Sequence, residues 1–499
     1  MIENKTEKRI FGVSRSLLAI LLLGTVLRFL YLGRHSVWID EGYSWLVVQT
    51  SFRELTRLCW TDTHPPLFHY LLKASLWVLP DTEFGIRAVS VLCSIATLAV
   101  MVRFVFRHWG QRAACYVGLL AAVSPFDIYY AQEARMYALL AFLFVLAFTE
   151  LVEILDGKPA HLIGWVVANI GLAWTHAYGL MAVFLQVGFF ICYEAVQHLR
   201  GRPLLLKPKT VIAAFTVLFL GVAPIVMFFW MIRTNKSGGV QLPDAKTLLH
   251  LVRYWAVGEM ASFTNFKVTW WLRDVSTLVM IGCAILGGCQ LWKRGEFNRW
   301  ILCFAIALLL LPAALVFAYS TVTKHGLWVD RGFLGSAHML YLLAGLGLSA
   351  LGSRALRGIA LVVICISIAS GEIYYYTRYD KSQAASAFHA LPPLTPQHAL
   401  LVTPPRLDCE AYYYLREATS FWAVQAKPPW HLLLITRPVV RTRREPVTTC
   451  DEPDLQAVSD LYAFGDASEI RTNRIHWPNC LLTKKIWVFE QSRWHPLDE

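Results

Sequence analysis

About eleven apolar stretches, each close to the length of a membrane-crossing helix, follow one another along this chain. They lie near 13–32, 86–106, 113–129, 136–155, 161–177, 179–198, 210–231, 272–292, 299–319, 332–350 and 357–376. The hydrocarbon core of a bilayer takes about 20 residues of helix, and lipid satisfies no backbone hydrogen bond. A chain patterned in this way is expected to be an all-α polytopic membrane protein. Its composition, 56% hydrophobic and 16% charged, agrees with that reading. Ser16–Leu32 lacks a small-residue cleavage site, so it reads as a retained first helix and not as a signal peptide.

The net charge of +12 has a membrane explanation. Basic residues collect in alternate turns: Arg103, Arg107 and Arg112, then Arg200, Arg202, Lys207 and Lys209, then Lys293, Arg294 and Arg299, then Arg354 and Arg357. Lys158 sits in the one such turn that is not clearly basic. Cytoplasmic loops gather Lys and Arg, which puts these turns and the N-terminus inside and makes nucleic acid an unneeded partner. The opposite turns then lie outside, as does everything after the last span. Residues 1–376 are expected to form the transmembrane domain, with a first external loop at about 33–85. Residues 377–499 are polar, Pro-rich at their start, and carry short β-like runs at His398–Thr403, His431–Thr436 and Ile486–Glu490. They read as a small external α/β domain, in which a Cys450–Cys480 disulfide is permitted by compartment.

Reactive side chains cluster on the external side. The first external loop opens with W-I-D-E-G-Y-S-W (Trp38–Trp45), which sets Asp40 and Glu41 in an aromatic stretch close to the bilayer. Trp38–Trp60 has helical spacing, and Leu67–Leu79 is apolar but short for a span. Both read as interfacial helices, with the prolines of T-H-P-P (Thr63–Pro66) starting the second. The next external turn, Ser124–Tyr137, holds Asp127, Gln132, Glu133, Arg135 and Tyr137. A third holds T-H-A-Y (Thr175–Tyr178), with His176 and Tyr178, and a later one holds Lys324 and Arg331. Each residue alone has an ordinary reading: a helix cap for Asp40 and Glu41, a loop residue for His64, an internal ion pair for Glu133 and Arg135, snorkelling for Lys324 and Arg331. Together they suit phosphate-ester chemistry at a membrane surface. Guanidinium groups bind phosphate through paired donors and stabilise charge on a departing phosphate, and a carboxylate can deprotonate the incoming nucleophile. No Gly-rich nucleotide loop is present.

Four runs carry a resemblance: Leu27–Trp45, Thr63–Leu72, Gly85–Ser90 and S-P-F-D-I-Y-Y-A-Q-E-A-R-M-Y-A-L-L (Ser124–Leu140). They look like bacterial GT-C glycosyltransferases, in the group of the protein O-mannosyltransferases and the aminoarabinose transferase of lipid A. The resemblance covers about 15–375 in topology and is specific in the first 180 residues. It implies an inverting, multi-pass enzyme of the bacterial inner membrane with a periplasmic site. The implied donor is a polyprenyl-phosphate sugar and the implied acceptor a lipid, glycan or protein. It further implies that Asp40 acts as base with Glu41 beside it, that His64 lines the cavity, and that Gln132, Glu133, Arg135 and Tyr137 shape the site. His176 and Tyr178 match the family's T-H-x-Y. Arg331 matches a basic residue that opens a late span, often R-Y-L-x-P, where this chain reads R-G-F-L-G. No cofactor is implied with certainty; a divalent metal stays open, since no ligand spacing marks one. The competing class is a transporter or flippase of lipid-linked sugars or solutes, which would carry its charges near the bilayer midplane. Here the charges sit at one rim.

Overall fold

The computed structural model describes residues 9–10, 13–232, 242–258, 267–392, 398–402, 408–415, 421–425, 431–435, 445–446, 459–464, 470 and 485–497. It divides into two compact units, one formed by Met1–Leu32 with Ser51–Tyr379, the other by Gly33–Thr50 with Asp380–Glu499. The segment Gly33–Thr50, from the expected first external loop, therefore clusters with the C-terminal residues.

The first unit is helical. After a two-residue hairpin, β1 (Arg9–Ile10) with β2 (Val13–Ser14), comes α1 (Arg15–Phe29). The second unit supplies α2 (Ile39–Gln49), and the first resumes with α3 (Phe52–Thr61) and α4 (Leu67–Ser75). The long α5 (Glu83–Ala122) is two helices joined at Gly110, whose φ of 80° suits a residue without a β-carbon. Next come α6 (Pro125–Ala131), α7 (Tyr137–Leu155), α8 (Leu162–Thr175), α9 (Ala177–Leu199) and α10 (Pro208–Ile232). The unit closes with α11 (Ala245–Val257), α12 (Lys267–Lys293), α13 (Glu296–Thr323), α14 (Leu334–Ala350) and α15 (Arg354–Thr377).

Ten of the expected stretches each fall on one of these helices, and the stretch near 113–129 runs from the end of α5 across Val123–Ser124 into α6. Among the described residues, eight helices are long and apolar enough to cross a membrane: α5, α7, α9, α10, α12, α13, α14 and α15. The remaining two stretches fall on α1 and α8, which have 15 and 14 residues. Two helices, α7 and α14, are buried over most of their length and form the centre of the bundle. By contrast α10 leaves Val217, Phe219, Leu220 and Trp230 exposed, the surface a lipid-facing helix needs. Two glycines let α12 and α14 touch through their backbones. A β-carbon on Gly287 would collide with the Leu343 carbonyl, and one on Gly347 with that of Cys283.

Two buried arginines tie helix ends of the bundle together. Arg28, 1% exposed, donates to Ser94 Oγ (2.7 Å) and to the carbonyls of Gly24 (3.0 Å), Ala122 (2.9 Å) and Ala121 (3.0 Å). It thereby satisfies acceptors that the C-terminus of α5 leaves open. Arg87, fully buried, donates to the Leu32 carbonyl at 2.9 Å.

Two local expectations change. Trp38–Trp60, expected as one helix, breaks at Thr50–Ser51, where the Ser51 hydroxyl accepts from the Glu54 amide and starts α3. The Ser124–Tyr137 turn is itself partly helical. Ser124 caps α6, with Pro125 in its first turn.

In the second unit, strands β3 (His398–Val402), β4 (Phe421–Gln425), β5 (His431–Ile435), β6 (Glu445–Pro446), β7 (Asp460–Phe464), β8 (Lys485–Glu490) and β9 (Arg493–Pro496) pair in the order β6-β4-β5-β3-β7-β8-β9. The three β-like runs read from the sequence are β3, β5 and β8. β3 runs antiparallel to β5 and parallel to β7, so the sheet is mixed. Two short helices, α16 (Ala384–His389) and α17 (Asp408–Tyr414), close one core: Ala384, Phe388, Ala411 and Leu415 pack with Tyr462, Phe464 and Phe489. Cys450 and Cys480 lie outside the described residues. Cys59 and Cys409 are buried.

Candidate functional site

In the first unit, histidines, tyrosines and an arginine meet where α4, α7, α8, α9 and the lead-in to α14 end. The Thr63–Pro66 turn cannot continue α3, because the residue before a proline is pushed out of helical geometry. It therefore projects His64, whose ring lies 5.4 Å from that of His176. His176 stands between α8 and α9, and its Nδ1 accepts from the Tyr178 amide at 3.1 Å, capping α9. Its ring stacks on Tyr178 (5.2 Å) and lies 5.8 Å from Tyr137, the first residue of α7. The Arg331 guanidinium lies over the Tyr137 ring at 5.1 Å, a cation–π arrangement.

Tyr178 also holds the segment that carries Arg331. Its hydroxyl donates to the Leu327 carbonyl at 2.7 Å and accepts from the Val329 amide at 3.0 Å. Its ring lies so close to Gly332 that a β-carbon there would sit 2.5 Å from Cδ2. This gives a physical reason for R-G-F-L: with Tyr178 in that position, no side chain fits after Arg331.

Arg135 and Glu133 lie in the tight connection between α6 and α7. The Arg135 amide donates to the Glu133 carbonyl at 2.7 Å, and the Arg135 carbonyl accepts from Ser90 Oγ at 3.2 Å. Both side chains are buried. The positive charge of Arg135 acts on Asp62, His69 and His176. Gln132 faces elsewhere. Its amide donates to the carbonyls of Leu30 (2.8 Å) and Arg28 (3.1 Å) at the end of α1, and it accepts from Tyr375 Oη at 3.0 Å. Lys324 is exposed at the end of α13 in left-handed backbone, and no contact joins it to this cluster among the described residues.

Sequence reasoning passed over Asp62, whose Oδ2 lies 3.3 Å from His64 Nδ1. Burial disfavours its ionised form, but the hydrogen bond and charge of His64, the Thr63 amide and Arg135 outweigh that and hold the carboxyl at about 2. His69 on α4 is pushed down to about 3 by burial, with the charges of Arg135 and His64 adding to the effect. The spacing D-x-H was the available signal. A second omission is His338, fully enclosed in α14, with Nε2 3.2 Å from Asp127 Oδ1 and Nδ1 3.1 Å from the Leu334 carbonyl. A lone ionisable residue inside an apolar span is a signal in its own right. Among the described residues no three His, Cys, Asp or Glu side chains are grouped to hold a metal ion.

In the second unit Asp40 and Glu41 occupy the first turn of α2, Asp40 half-buried and Glu41 fully buried. Trp38, the residue before the helix, makes no capping bond with its side chain.

The family described as Dolichyl-phosphate-mannose-protein mannosyltransferase matches residues 63–228, the stretch that holds His64, Arg135, Tyr137, His176 and Tyr178. No curated protein matches significantly. Among solved structures, ArnT from Cupriavidus metallidurans in the apo state is similar at 13% identity and a TM-score of 0.52, over 80% of this chain and 83% of that one. The same protein bound to undecaprenyl phosphate gives 15% identity and 0.48 over 93% and 88%. The oligosaccharyltransferase AglB from Archaeoglobus fulgidus gives 12% and 0.49 over 95% and 64%. The bundle has the GT-C fold. Residues 63–228 resemble the protein mannosyltransferase family, and the fold is similar to that of ArnT.

Proposed function

We propose that this protein transfers a sugar from a polyprenyl-phosphate donor to a lipid, glycan or protein acceptor at the periplasmic face of the inner membrane, with inversion. The observation that carries the reading is the cluster of His64, Arg135, Tyr137, His176, Tyr178 and Arg331 within one unit. Cations beside aromatic rings suit a sugar phosphate: guanidinium groups take the phosphate, rings take the sugar face. The matched family's donor is, by its name, dolichyl-phosphate mannose.

In this reading Asp40 takes the proton of the acceptor hydroxyl or amine, which attacks the anomeric carbon as the bond from that carbon to the phosphate oxygen breaks. The electron pair leaves with the polyprenyl phosphate, whose charge Arg135 and Arg331 offset. Asp40 is assigned from its sequence motif and its place at the start of α2.

Mass spectrometry of lipid-linked sugars and envelope glycans, in a deletion strain carrying wild type or Asp40→Asn, tests this. Wild type should consume the donor and release polyprenyl phosphate; Asp40→Asn should insert normally and leave the donor unconsumed. Full restoration of the glycan by Asp40→Asn would remove Asp40 from the role of base. Lipid-linked sugar that changes leaflet with no product in wild type would favour transport.

A further inference from the structure

The helix that carries Asp40 and Glu41 is held by side chains made more than 300 residues later. The first amides of a helix have no partner within it. Ahead of and within the first turn of α2, the Ser36 amide donates to Asp380 Oδ1 (2.9 Å), the Val37 amide to Tyr414 Oη (2.7 Å), and the Ile39 amide to the Glu410 carboxyl. Trp38 offers no cap of its own, so Glu410 on α17 does that work from another element. The two helices touch at Gly42, where a β-carbon would lie 2.8 Å from the Cys409 carbonyl oxygen. Trp45 meets Tyr413 edge-on at 5.3 Å.

From this arrangement we infer that Glu410 is a positioning residue for glycosyl transfer, capping α2 so that the Asp40–Glu41 turn keeps its geometry. The inference rests on the reading of Asp40 as base. Glu410 is 1% exposed, and Ser382 Oγ donates to its Oε2 at 3.0 Å. Burial pushes the carboxyl up to about 8, opposed by the Ser382 and Ile39 hydrogen bonds and reinforced by the negative charges of Glu41 and Asp380. Asp380 in turn has His35 at 3.9 Å. At neutral pH Glu410 is thus a neutral acceptor. Once ionised, it sets a second negative charge near the buried Glu41, and the cap is expected to loosen.

The test is hydrogen exchange of the Trp38–Gln49 segment in purified full-length protein at pH 7 and pH 9, corrected for intrinsic exchange. It is paired with release of polyprenyl phosphate from the lipid-linked sugars of the same membranes. Wild type should lose protection and turnover by about tenfold between the two pH values, the scale of one pH unit of ionisation. Glu410→Gln, which keeps the acceptor and cannot ionise, should hold both at pH 9. Glu410→Ala should be unprotected at both pH values. Tyr414→Phe, which removes the Val37 bond and leaves Glu410 in place, should keep the wild-type pH dependence. Glu410→Gln tracking wild type, or Glu410→Ala protected as well as wild type at pH 7, would overturn the inference. Asp40→Asn separates the two claims: lost product with α2 protection intact supports both, and retained product overturns the base alone.

Discussion

Asp62 and Glu410 show how environment sets the sign of a pH effect. Asp62 is held at about 2, below its ordinary 3.8, so its pairing with His64 stabilises the fold above pH 4 and is lost as pH falls towards 2. Asp62→Asn should remove on the order of 1–2 kcal/mol of that stability and flatten the acid limb of unfolding, read by tryptophan fluorescence. Glu410 behaves oppositely. The folded state keeps a proton that the unfolded chain gives up near 4.5, so stability of the second unit falls as pH rises from about 4.5 to about 8. Glu410→Gln should therefore raise the unfolding midpoint at pH 8 and change little at pH 5, measured by thermal denaturation in detergent. Either residue would have been hard to weigh from sequence. Asp62 stood in plain view beside T-H-P-P, but its value depends on Arg135, which comes some seventy residues later. Glu410 sits in a run with no recognisable motif.

Elements were legible where hydrophobicity alone decides them. A span of about 20 apolar residues has few alternatives in lipid, and ten of the expected stretches each became a helix. What could not be read were the boundaries set by single hydrogen bonds, such as the Ser51 cap that splits α2 from α3 and the Ser124 cap that starts α6. Packing between helices was equally hidden, because Gly287 and Gly347 gain meaning only when α12 and α14 are side by side. Gly347→Val should force those backbones apart at a cost of about 1–3 kcal/mol or more, seen as a lower unfolding midpoint in detergent. Gly282→Val on the same α12, with open space around it, should leave the midpoint unchanged. Arg28→Met, which strands buried carbonyls of α5, should cost about 1–3 kcal/mol in the same measurement.

For the whole molecule, the basic turns predict sidedness. With all eleven native cysteines replaced by Ala, a membrane-impermeant thiol reagent on intact spheroplasts should label Lys324→Cys and spare Arg294→Cys. The reverse pattern would invert the topology. The candidate site was legible to a comparable extent. His64, His176, Tyr137, Tyr178 and Arg331 were all named from motifs and are joined in one cluster. Gln132 was named for the same reason, yet its amide stitches the end of α1 to Tyr375. A motif records that a residue matters without distinguishing contact with substrate from support of the scaffold.

The pairing of Gly33–Thr50 with Asp380–Glu499 also imposes an order on biogenesis. Helix α2 leaves the ribosome early, whereas Glu410, Tyr413 and Tyr414 follow after most of the bundle has been threaded into lipid. At ordinary translation speeds that delay is on the order of tens of seconds. Throughout it, the nascent chain would hold its Asp40–Glu41 turn without the helix that packs against it. Helix α2 would then gain its full set of contacts only once α17 has been made.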